Sequence, residues 1–168
     1  MTLLVSPNGL ISRSDAYINN GNNTSEYTLY SQTIEGGVMS MANAMRFAFY
    51  LNFSTLGVLP GNLTLRVKYG SAVLTLGGGA LALIGGRTAA PVRVSGVLVN
   101  RGTTNAQFFT GEMRQDTSGL TLIQPVTIAS VKPAIDSSID QTFALTAQFS
   151  VGNVANTITL DFADVTIS

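Results

Sequence analysis

Apolar and polar residues alternate with a period of two along most of this chain, the signature of strands with one buried face. Leu63, Leu65, Val67 and Tyr69 share one parity, while Thr64, Arg66 and Lys68 take the other. Met45, Phe47, Phe49, Leu51 and Phe53 form a longer stripe, opposed by Arg46, Ala48, Tyr50 and Asn52. Phe143, Leu145, Ala147 and Phe149 repeat the pattern, and Ile158, Leu160 and Phe162 close it. The parity changes at Phe162-Ala163-Asp164, because Val165 and Ile167 then carry the apolar positions. A bulge or bend accounts for such a slip. Val92 to Val99 is apolar on both parities, which predicts a central strand covered on both sides.

Gly, Asn and Pro punctuate these runs, and Pro91, Pro125 and Pro133 sit between runs or at their edges, where strands tolerate them. Gly77-Gly78-Gly79 reads as a turn between two short strands. Val38 to Met45 comes nearest to helical spacing and makes at most a short turn. Roughly eight to ten short strands predict an all-β chain, an antiparallel β-sandwich or jelly roll. Residues 36–168 form that domain. Residues 1–35 differ: an apolar tip, a Pro-Asn-Gly turn and the tract Asn19-Asn20-Gly21-Asn22-Asn23 predict an extended N-terminal arm and linker. Leu3, Leu4, Val5, Leu10 and Ile11 would anchor this arm on a neighbouring subunit.

Composition narrows the function. The 168 residues contain no Cys and no His. That removes disulfides, thiol nucleophiles, Ser/His/Asp triads, HExxH zinc sites and the usual general base near neutral pH. The expectation is therefore no enzyme, no catalytic residues and no cofactor. Charged residues make up 11% of the chain, less than half of the ~25% usual in soluble domains, so much of the surface is expected to be covered by partners. Nine basic residues balance nine acidic ones, which argues against a nucleic-acid partner.

The start of the chain has no basic region before an apolar run, so no leader peptide is expected. The uncharged stretch 69–86 is long enough for a membrane span, but six of its residues are Gly, each unfavourable in a helix by ~1 kcal/mol. No membrane partner is expected.

Charge is segregated along the sequence. Residues 36–111 carry net +6 and residues 112–168 net −4. These charges either cancel within the sandwich or form complementary docking faces, with Arg87, Arg93 and Arg101 nearest to turns or strand ends. Phe108 and Phe109 are adjacent, so they point to opposite sides of a strand, and one of the two is expected in a subunit interface.

Other chemical candidates are weak. Glu112 and Asp116, four residues apart, would stand about 13 Å apart on a strand. A glycosidase pair needs ~5–9.5 Å, so both read as solvated loop charges. Asp136, Asp140, Asp161 and Asp164 have no calcium-loop spacing, and no metal site is expected. Gly85-Gly86-Arg87-Thr88 lacks both the first Gly and the Lys of a phosphate loop. Asn22, Asn23, Asn52 and Asn62 head glycosylation-type triplets that chance explains in so Asn- and Thr-rich a chain. Tyr17, Tyr27, Tyr30 and Tyr50 are free to stack on sugars or bases, whereas Tyr69 belongs to a core stripe.

Four stretches carry a resemblance: 26–30, 62–70, 91–101 and 140–150 with its continuation 155–160. From about Ser25 onward the chain resembles the jelly-roll modules of bacteriophage virions, found in capsid decoration (cement) proteins and in tail-fibre tips. The resemblance implies a non-enzymatic virion protein; with the arm as a tether and a low charge suited to interfaces, the expected role is a capsid decoration protein that binds and stabilises the icosahedral shell as a homotrimer. Its partners would be itself and the major capsid protein. It would sit on the outer surface of the virion capsid, after assembly in the host cytoplasm. The alternative is a tail-fibre or spike receptor-binding protein that recognises host surface glycan; glycan is a partner only under that reading.

Overall fold

Each apolar stripe becomes the inner face of a strand. In the computed structural model the residues described are 23–40, 42–115 and 126–168, together with the backbone of 5–6, 9–10 and 12–14. The strands are β1 (Val5–Ser6), β2 (Gly9–Leu10), β3 (Ser12–Ser14), β4 (Tyr27–Ile34), β5 (Ala44–Ser54) and β6 (Asn62–Tyr69). They continue with β7 (Ala72–Ala82), β8 (Ala90–Asn100), β9 (Gln107–Gln115), β10 (Val126–Val131), β11 (Gln141–Phe149) and β12 (Thr157–Ile167). Among the described residues there is no helix, and hence none long and apolar enough to cross a membrane.

Two antiparallel sheets face each other, ordered β10-β9-β8-β5-β12-β3 and β4-β11-β6-β7. With the β9–β10 hairpin set aside, eight strands remain, in the orders β3-β12-β5-β8 and β4-β11-β6-β7. Apart from the β6–β7 hairpin, successive strands alternate between the sheets, and the last returns beside the first, which makes the double Greek key of a jelly roll. The hairpin widens the larger sheet, and β7 of the smaller sheet packs against β9 and β10.

The core lies between the sheets. Phe47 and Phe49 of β5 meet Phe143 of β11 with ring centroids 5.4 and 6.1 Å apart. Tyr30 of β4 stands 5.2 Å from Phe49. These spacings lie within the range of favourable aromatic pairs. Tyr69 is buried in the same core, and burial, assisted by the charge of Asp136, pushes its hydroxyl up to about 12.

One end of the sandwich is tied by a buried amide network. Gln107 Nε2 donates to Asn100 Oδ1 at 2.9 Å and to the Ile135 carbonyl at 2.9 Å, and its Oε1 accepts from Ile135 N at 2.8 Å. Asn100 Nδ2 donates to Ser137 Oγ at 2.9 Å and to the Met39 carbonyl. Two side chains thereby satisfy backbone groups of two separate segments, at Met39 and Ile135.

The structure corrects four expectations. The glycine triplet is no turn: β7 runs unbroken from Ala72 to Ala82, and residues 77–80 bulge opposite Thr64 alone, between the pairs Leu65–Leu76 and Leu63–Leu81. Glycines permit that excursion without a chain reversal. The arm does not reach residue 35, since Tyr27–Ile34 is strand β4 with Leu29, Tyr30 and Ile34 buried. Strand β8 is central in its sheet but covered on one face only; Val97 and Val99 point outward, half-buried. Finally, Phe162 does not close its stripe, for a reason that shapes the site described next.

Candidate functional site on the outer sheet face

Strand β12 slips its register against β5 between Leu160 and Phe162. Leu160 pairs with Leu51 and faces the core, but Phe162 pairs with Tyr50 and faces out. The extra residue is Asp161. The sequence pattern places the parity change at Phe162 and after; the bulge falls one residue earlier, so Ala163 takes the inward position instead. A bulge re-aims the side chains beside it. Here it delivers Phe162 to the outer face, with its ring centroid 5.8 Å from that of Tyr50.

Register then assembles a cluster around Tyr50. Arg93 of β8 is directly opposite Tyr50, and Pro91 is opposite Asn52. The Arg93 guanidinium lies over the Tyr50 ring, 5.3 Å from its centroid. Asn52 Nδ2 donates to Asp161 Oδ2, and Thr159 Oγ1 donates to Asp161 Oδ1 at 3.2 Å. Across β8, Arg114 pairs with Arg93 and Gln115 with Val92. Tyr50, Asn52, Pro91, Arg93, Gln115 and Asp161 line a shallow cavity of about 380 Å³, with Arg114 at its side. Tyr50 is 41% exposed, unusual for so large a ring on a sheet. Gln115, opposite the inward-facing Val92, turns its side chain to the core side of the sheet, where its Oε1 is buried without a hydrogen-bond partner.

The next row along the same face is Asp164, Ala48, Ser95, Glu112 and Ile128. Glu112 lies on strand β9, not in a loop. Arg114 Nε donates to Glu112 Oε1 at 2.9 Å, and this contact holds the Glu112 carboxyl below its ordinary range. Its sequence partner Asp116 lies outside the described residues. Further along, Val97 and Val99 of β8 neighbour Thr110 and Phe108 of β9, and Ile128 of β10 is 75% exposed.

The residues expected at an interface divide. Phe109 is fully buried, 6.0 Å from Phe47 between ring centroids, so it belongs to the core; Phe108 is the outward member of the pair. Arg93 and Arg101 are exposed, on the outer face and in the β8–β9 loop. Arg87 is half-buried: its N–H donates to Thr55 Oγ1 at 2.9 Å, while its Nε is buried without a partner. Val5 pairs with Leu10 in the β1–β2 hairpin, and β3 pairs with the chain's own β12. Leu3, Leu4 and Ile11 lie outside the described residues, as does Tyr17.

Part of the charge segregation cancels within the chain. Glu26 receives Lys68 Nζ at 2.8 Å and Arg66 at 3.4 Å on the outer face of the smaller sheet. Lys68, with Thr146, holds the Glu26 carboxyl below its ordinary value. Arg101 and Lys132 instead flank a second shallow cavity of about 300 Å³ with no acid in its lining. Among the described residues no three acidic side chains gather as a metal site would require.

The paired strands define a jelly-roll β-sandwich that presents a broad, sparsely charged outer sheet. No known protein family matches the chain, and no curated protein matches it. Among solved structures it is similar to the Lotus tetragonolobus seed lectin, at 6% identity and TM-score 0.45 over 99% of this chain and 95% of that one. It is similar to peanut lectin with a 9mer peptide, at 8% identity and TM-score 0.44 over 99% and 84%. It is also similar to the CBM2 module of the evolved Dit of Lactobacillus casei BL23 phage J-1, at 12% identity and TM-score 0.39 over 81% and 67%.

Proposed function

We propose that the chain is a non-enzymatic structural protein of a bacteriophage particle, a decoration protein that binds the outside of the icosahedral shell as a homotrimer. Further copies of itself and the major capsid protein are its partners. The observation that supports this most is the outer-face patch of Phe108, Val99, Val97 and Ile128, joined through Thr110. It has an apolar centre, while Arg46, Glu112 and Arg114 form a charged rim, the anatomy of a protein interface. A second copy is its occupant, because a chain with 11% charged residues has little else to present. The resemblance to phage jelly-roll modules supplies the particle.

Electron cryo-microscopy of virions carrying an antibody label on this chain tests the proposal. Label in threes over the shell is the expected result; label confined to the tail overturns it. A tail-fibre or spike receptor-binding protein is the second reading, and the cavity beside Tyr50 favours it.

A further inference from the structure

We propose that the cavity bounded by Tyr50, Pro91, Arg93, Arg114 and Asp161 is a binding site for an uncharged, hydroxyl-rich saccharide. The inference concerns the chain's own surface. It stands whether the protein sits on a shell or on a tail.

The functional groups choose the ligand. Arg93 and Arg114 offer N–H donors, and Arg93 makes no hydrogen bond among the described residues, being held instead against the Tyr50 ring. Asp161 offers acceptors through its carboxylate oxygens, which Asn52 and Thr159 hold in place. A simple anion would meet the arginines but also the Asp161 carboxylate. A cation would meet the reverse conflict. A hydroxyl group both donates and accepts, and so satisfies the two sets together.

The walls agree. Tyr50 and Pro91 are exposed and add apolar surface to the lining, which suits the C–H groups of a pyranose, beside the polar groups of Arg93, Arg114 and Asp161. Asn52 and Thr159 orient the Asp161 carboxylate, and the ring stack orients Arg93, so the site is arranged before any ligand binds. The volume of about 380 Å³ falls in the range of small-molecule sites, at its shallow end. Weak affinity from one copy, strengthened by several copies on a particle, follows from that shallowness.

The test uses the full chain on a printed array of neutral mono- to tetrasaccharides of hexoses and N-acetylhexosamines. Titrations follow by saturation-transfer NMR, with inorganic phosphate and acetate as anionic comparisons. Binding of at least one neutral sugar is expected, with a loss of tenfold or more in Tyr50→Ala and in Asp161→Ala. Arg101→Ala, outside the cavity, should bind as wild type. Melting curves of each variant establish that it is folded, and Tyr50→Phe, which keeps the ring, should retain most of the binding. No neutral sugar bound by the folded wild type overturns the proposal. So does equal binding by Tyr50→Ala and Asp161→Ala, or binding of phosphate alone. The place of the label on the virion does not enter these readouts, so the two proposals fail separately.

Discussion

The Phe47 ring fills the space directly beneath Gly96, so that a methyl group on Gly96 would overlap Phe47 Cζ and, on the next strand, the Thr110 carbonyl oxygen and Gly111 Cα. Gly111, opposite Gly96 in the register, leaves the same space open from the next strand. Two glycines in the middle of a sheet thus make room for one core ring. Gly96→Ala is expected to destabilise the fold by about 1–3 kcal/mol, the usual cost of overpacking. Denaturant unfolding measures it. Phe47→Leu in the Gly96→Ala background relieves only the ring overlap and should recover a small part of the loss; a double variant as stable as Phe47→Leu alone would contradict the backbone overlaps.

The amide network at the loop end gives a second expectation. Gln107→Ala strips partners from Asn100 Oδ1 and from both backbone groups of Ile135. Each buried group left unpaired costs about 1–3 kcal/mol, so the variant should lose at least 2 kcal/mol. Hydrogen exchange should show the loss first at Ile135 and Ser137. Unchanged protection at those amides would refute the tie.

Stability at acid pH should carry the mark of Glu26. Lys68 and Thr146 lower its pKa on folding, so the folded state favours the ionised form. The stabilisation is therefore present above the ordinary carboxylate value of 4.5 and lost as pH falls through the lowered one. The group is partly solvated, which limits its worth to about 0.2–1 kcal/mol. Glu26→Gln should melt slightly below wild type at neutral pH, and the gap should close in acid. A gap that stayed constant with pH would assign the effect to packing.

The outer patch predicts its own disruption. Phe108→Asp leaves the core untouched, because Phe109 holds the inward position. Sedimentation should show loss of the trimer with the melting temperature of the monomer nearly kept. A wild-type chain that stays monomeric at micromolar concentration would remove the basis for this patch as an interface.

Arg101→Glu tests the docking charges. Arg101 is exposed beside Lys132, away from the ion pairs of Glu26 and Glu112. The reversal should slow binding to shells and change its salt dependence while altering stability by no more than about 0.5 kcal/mol. A large fall in melting temperature with normal binding would place the charge inside the fold's own balance.

The strands and the core were legible in the sequence because burial on one side of a sheet forces a period of two. Phe47, Phe49, Leu65, Val67, Phe143 and Leu145 all lie inward as their stripes require. The missing Cys and His likewise excluded whole classes of chemistry without any structure. What the alternation does not encode is which strand lies beside which. Tyr50 and Arg93 are distant in sequence, and only antiparallel pairing of β5 with β8 puts a cation over that ring.

The same holds for Phe162. Its parity places it with Ile158 and Leu160, and the slip three residues on shows only that a bulge exists nearby. Its position is decided by the ladder with β5, where one residue of displacement sends every later side chain to the other face. The cavity beside Tyr50 arises in the same way, from four strands meeting. The sequence by itself determined the all-β class and which residues seek the interior. Tertiary pairing alone decided which polar and aromatic groups meet on the outside, because register is a property of two strands and not of either one.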